Sequence, residues 1–136
     1  MRNYFKIVLF LLLAFLGQEV LAKVAKITDA RLSVSSDKVR LVLEASSTFK
    51  YKANVSGKKI TVDMKGASLS CSLKKLKLAK TPISSISSKK NGNNFKIIIS
   101  LNKEVDLKHF ALSKPERLVL DLHPKAKSVA KKGWGK

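Results

Sequence analysis

Two five-residue stretches of strict alternation, 58 positions apart, constrain this chain more than any other feature. Leu118-Val119-Leu120-Asp121-Leu122 sends its three leucines one way and Val119 and Asp121 the other. Ile60-Thr61-Val62-Asp63-Met64 repeats that order: apolar, β-branched, apolar, Asp, apolar. Period-2 alternation marks a half-buried β-strand. The later copy follows a polar turn, Ser113-Lys114-Pro115-Glu116, and Arg117. It stops at Pro124, which has no N–H to give to a sheet ladder.

The rest of the chain falls into register with these two anchors. Strand patterns run over Ile27 to Val34, with Ala30, Leu32 and Val34 on one face, over Val39 to Ala45, and over Phe49 to Val55. Polar breaks separate them, and Ser56-Gly57-Lys58-Lys59 reads as a hairpin turn before Ile60. Ile83 and Ile86 lie 56 residues after Ile27 and Ala30. Phe95, Ile97, Ile99 and Leu101 stand at the same offset from Val39, Leu41, Leu43 and Ala45. Lys96 falls on Arg40, and Leu107 and Lys108 fall on Tyr51 and Lys52. Asn91-Gly92 is a tight-turn signal. Two extra residues near Pro115 move the final offset to 58. The fold class expected is therefore all-β: two similar antiparallel sheets from an internal duplication, packed as a sandwich, with halves at about 25–66 and 81–124. Between the halves, Leu69, Cys71 and Leu73 alternate as one short strand would, and Leu76 and Leu78 as another.

The ends of the chain carry different signals. Residues 1–22 read as an export signal: a positive start with Arg2 and Lys6, an unbroken apolar run from Ile7 to Leu16, and a small-residue cleavage site at Val20-Leu21-Ala22. The apolar run is about half the roughly 20 residues that a spanning helix requires. Membrane contact is thus expected only through a segment that is removed, and the protein is expected in the periplasm. The basic tail, residues 125–136, lacks a core pattern and is expected to be disordered. The formal charge is +19, and +18 remains on residues 23–136. Such an excess draws polyanions, whether cell-wall polymer, anionic lipid, lipopolysaccharide or nucleic acid. Few interleaved aromatics speak against base stacking, so no nucleic-acid partner is expected. Cys71 is the single cysteine, so no internal disulfide can form. Its alternating surroundings favour a buried small hydrophobe over an intermolecular bridge or a reactive thiol.

The stretches Lys38-Val39-Arg40-Leu41-Val42-Leu43-Glu44, Phe49-Lys50-Tyr51-Lys52 and, above all, Pro115-Glu116-Arg117-Leu118-Val119-Leu120-Asp121-Leu122 resemble the AMIN domain, the amino-terminal region of bacterial cell-wall amidases. The likeness covers about residues 25–124, although Gly57-Lys58-Lys59-Ile60 lacks the Pro and the Arg in the first half. It implies two similar packed sheets and a periplasmic module that binds peptidoglycan, attached in relatives to an amidase or a secretin channel. Here the chain ends about a dozen residues after Pro124, as a stand-alone module would.

Catalysis finds little support. A zinc amidase requires several His and acidic ligands around an open metal position. The two histidines, His109 and His123, lack such a spacing, so no metal or cofactor is expected. No context pairs Cys71 with either histidine as a nucleophile, and the serines lie in turns without a nucleophile elbow. The chain reads as a binding protein. Its candidate ligand-binding residues are Arg117, Lys108, Arg40, Lys50, Tyr51 and Lys52. The Arg117 fork suits the carboxylates of peptide stems, or is simply a charge at a turn edge. Tyr51 could stack on a sugar or pack in the core. Asp63 and Asp121 read as partners of Lys96 and Arg40 in cross-strand ion pairs, in preference to ligand contacts. The partner expected is peptidoglycan; the alternative is an envelope protein, a secretin or an amidase, met by strand addition.

Overall fold

The structure, a computed structural model, describes residues 24–125. The expected export signal and the basic tail beyond Lys125 lie outside the described residues. Nine strands follow in order: β1 (Ala25–Val34), β2 (Val39–Ala45), β3 (Lys50–Ser56), β4 (Lys59–Lys65), β5 (Ala67–Leu69), β6 (Ile83–Asn91), β7 (Asn94–Leu101), β8 (Val105–Leu112) and β9 (Glu116–Pro124). They form a five-stranded sheet, β5-β1-β2-β9-β8, and a four-stranded sheet, β3-β4-β7-β6. The two pack face to face as an all-β sandwich without a helix among the described residues.

The core follows from the alternation. Leu41, Leu43, Leu118, Leu120 and Leu122 face inward from one sheet, and Ile60, Val62, Met64, Ile97 and Ile99 from the other, all without exposure to water. Each such side chain contributes about 2 kcal/mol relative to an exposed position. Burial along β2 alternates residue by residue, as does that along β4 and β7. These are the central strands, buried against the opposite sheet on one side only.

The two halves are related strand for strand, but they do not form one sheet each. The first half contributes β1 and β2 to the larger sheet and β3 and β4 to the smaller. The second half does the reverse: β6 and β7 join the smaller sheet, β8 and β9 the larger. β2 therefore pairs with β9, and β4 with β7, across the halves. Matching irregularities reinforce the correspondence. The register shifts between Ile27 and Asp29 in β1, and between Ile83 and Ser85 in β6. At each bulge a hydroxyl donates across the ladder, Thr28 to the Glu44 carbonyl at 3.4 Å and Ser84 to the Ser100 carbonyl at 3.0 Å. The bulge in β1 keeps Ala25, Ile27 and Ala30 on the buried side despite the odd spacing. The hairpin turns fall where the sequence signals them, with Gly57 at φ 58° and Gly92 at φ 63°, left-handed conformations that glycine adopts without strain.

Three expectations are corrected. Leu69 ends the short strand β5, which pairs parallel with β1 and has no counterpart in the other half, so the larger sheet is not wholly antiparallel. Cys71, Leu73, Leu76 and Leu78 lie in turns and bends instead of two strands. Turn hydrogen bonds, Leu76 N to Leu73 O and Thr81 N to Leu78 O, replace ladder bonds there, while the leucines still pack onto the core. Cys71 is half-buried, not enclosed.

Candidate functional site

The register brings charges together in rows across the outer faces. On the larger sheet, Arg40 of β2 lies opposite Asp121 of β9, which lies opposite Lys108 of β8. On the smaller sheet, Lys96 of β7 lies opposite Asp63 of β4, which lies opposite Lys52 of β3. Each half thus supplies a carboxylate at the equivalent place, flanked by cations on both neighbouring strands. The expected cross-strand pairs are both present, but they differ in kind. Arg40 Nε and Nη2 donate to the two Asp121 oxygens at 2.7 and 2.9 Å, a bidentate fork. Asp121 is only 4% exposed, where an outward strand position predicted an exposed charge. The Arg40 hydrogen bonds hold its carboxyl below the usual carboxylate range, outweighing the burial that opposes this. Lys96 Nζ stands 3.7 Å from Asp63, with both side chains more than 40% exposed.

The six candidate residues do not form one surface. Arg40, Lys108 and Arg117 project from the larger sheet, and Lys50 and Lys52 from the smaller, on the opposite face of the sandwich. Tyr51 points inward and packs against the core. Its hydroxyl hydrogen-bonds His109 Nδ1 at 2.8 Å, tying β3 to β8 where the two sheets meet at their edges. The ring stands edge-on to the imidazole, 5.4 Å between centroids, and burial raises the phenol pKa. The Tyr51 side chain is a clasp between the sheets. Arg117 Nε donates to the Pro115 carbonyl at 3.1 Å, its only side-chain hydrogen bond among the described residues.

The outer faces also differ in character. That of the larger sheet carries Lys26, Arg31, Arg40, Lys108 and Arg117 against Asp29, Glu44, Asp106 and Asp121. Several are paired: Arg31 with Asp29 at 2.7 Å and with Glu44 at 3.4 Å, and Lys75 with Asp29 at 2.6 Å. Between them runs an apolar row of Val42, Val119 and Phe110. The Arg40 guanidinium lies 5.8 Å from the Phe110 centroid, a cation–π contact that sequence reasoning missed. The outer face of the smaller sheet carries Lys50, Lys52, Lys59, Lys65, Lys89 and Lys96 against Asp63 alone. A concavity of about 520 Å³ opens there, bounded by Lys50, Lys52, Asp63, Lys65, Lys96 and the amides of Asn91 and Asn94. Lys65 was legible as the hairpin partner of Lys50, since both count outward from the Gly57 turn. No group of three or more metal-ligating side chains occurs among the described residues.

The AMIN domain family model matches residues 33–122. No curated protein matches the chain. Among solved structures, a hypothetical protein from Synechocystis superposes with a TM-score of 0.58 at 22% identity, over 78% of this chain and 17% of that one. That likeness is one of fold, and this chain spans about a sixth of the length of the Synechocystis protein. The matched span opens at the end of β1 and closes within β9, taking in the Arg40–Asp121 and Lys96–Asp63 pairs, and on that match this chain belongs to the AMIN domain family.

Proposed function

We propose that this chain is a non-catalytic periplasmic module that binds peptidoglycan through the outer face of its five-stranded sheet. AMIN domains are peptidoglycan-binding and targeting modules of amidases and secretins, and that membership carries the proposal. The geometry supports a particular surface. Arg117 holds its guanidinium on the outer face with a single backbone partner, so its remaining donors suit the carboxylates of peptide stems. Phe110, 37% exposed, offers an apolar shelf for a sugar ring beside Arg40. Asp121 serves this surface indirectly, by fixing Arg40 in place.

Sedimentation with purified sacculi tests the reading. The wild-type protein is expected to pellet with sacculi, and Arg117→Glu to lose at least tenfold in affinity. Rising salt is expected to weaken the wild-type interaction, since the charges concerned face solvent. Failure of the wild-type protein to pellet would overturn the proposal. It would favour a second reading, docking of an envelope protein along β8. That strand ends the larger sheet with an open edge and exposes Phe110 and Leu112 beside it.

A further inference from the structure

We propose that the outer face of the four-stranded sheet is a separate binding site for a phosphorylated sugar. This stands apart from the wall-binding proposal, because it uses the opposite face of the sandwich. The cation arrangement carries it. Lys50 lies directly opposite Lys65, and Lys89 directly opposite Lys96. Like charges in facing cross-strand positions destabilise a sheet. Four lysines, Lys50, Lys52, Lys65 and Lys96, line the concavity against the one carboxylate of Asp63. Asp63 meets only Lys96, loosely, at 3.7 Å, so the excess stays uncompensated. A bound anion relieves this repulsion, and the more charge it carries the better.

The kind of cation selects the anion. Every cation on this face is a lysine, whereas the other face presents three arginines. The planar guanidinium fork matches planar carboxylates, while ammonium groups act as point charges with freely turning donors, suited to a tetrahedral phosphate. A phosphomonoester carries about −1.5 to −2 charge and three acceptor oxygens, which answers a net excess of three in the concavity far better than one carboxylate. The remaining lining combines Tyr51, Met64 and Phe95 with two asparagine amides that fit hydroxyl groups. The Oδ1 of Asn94 already accepts from the Gly66 N–H at 3.1 Å, so this side chain offers its amide donors, and Asn91 lies beside it. The concavity of about 520 Å³ lies in the range of small-ligand sites, about 300–1,000 Å³.

The test is a titration of the ¹⁵N-labelled protein, processed as its expressing cell processes it, with glucosamine 6-phosphate, glucosamine and inorganic phosphate as separate probes. The sugar phosphate is expected to shift amides of β3, β4 and β7, at least tenfold tighter than either other probe. The double variant Lys65→Gln/Lys96→Gln is expected to weaken it at least tenfold. Shifts on the other face, or equal affinity for glucosamine, would overturn the proposal. So would unchanged affinity in the double variant. Vesicles bearing a phosphorylated glucosamine glycolipid distinguish a membrane source from a free one. Capture by such vesicles is expected to be displaced by free glucosamine 6-phosphate; capture that it fails to displace would place the lipid elsewhere and count against the site. None of these readouts uses sacculi, so failure here and failure of the wall-binding proposal are separate results.

Discussion

Asp63 and Asp121 occupy the same place in the two sheets and illustrate how little position alone decides. Asp63 meets its lysine at 3.7 Å in open solvent, and such pairs contribute about 0–1 kcal/mol. Asp121 is closed off from water and held by both nitrogens of an arginine fork. A carboxyl whose folded pKa is lowered contributes stability above its unfolded pKa and loses it as pH falls through the folded value. For Asp121 that window opens below about pH 4. Asp121→Asn is expected to lose about 2 kcal/mol at neutral pH and to flatten the acid limb of the stability curve, read by urea unfolding between pH 2 and 7. A limb as steep as that of the wild-type protein would show that other carboxylates govern acid unfolding. The pairing itself was legible from the offset between the halves. The difference in burial was not, because alternation shows which face a side chain takes and not what neighbouring strands lay over it.

Among the elements, the hairpins are fixed locally. Gly92 at φ 63° has open space where a Cβ would stand, so Gly92→Ala meets no clash and pays only the left-handed backbone penalty, about 1 kcal/mol. Equilibrium unfolding should show that loss without a change in the denaturant slope; a neutral result would mean that the turn relaxes. Eight strands and their turns could be read from the sequence because the larger part of the core obeys period 2. The segment after β5 misled because Leu69, Cys71 and Leu73 also alternate. There the leucines reach the core from turns, and no neighbouring strand offers a ladder to residues 71–81. The exchange of strands between halves was likewise hidden, since the pattern of one strand says nothing of its partner. That exchange is why Arg40 shares a face with Lys108 and Arg117, while Lys50 and Lys52 of its own half lie on the other.

At the scale of the whole molecule, a near-symmetric frame bears two unlike surfaces, one mixed in charge with an arginine–aromatic shelf, the other almost wholly lysine. The frame has a mechanical consequence. Lys77 and Lys80 are exposed in the irregular connection between the halves, so a single tryptic cut there would divide the chain into two pieces. Neither piece holds a complete sheet, yet together they hold both, each clasping the other like interlaced fingers. The nicked protein should therefore pass through a sizing column as one body and come apart only in denaturant. Separation under native conditions would show that the connection holds the halves together. If the pieces stay joined, the molecule is a dimer of its own halves, tethered by a strand of chain it can lose.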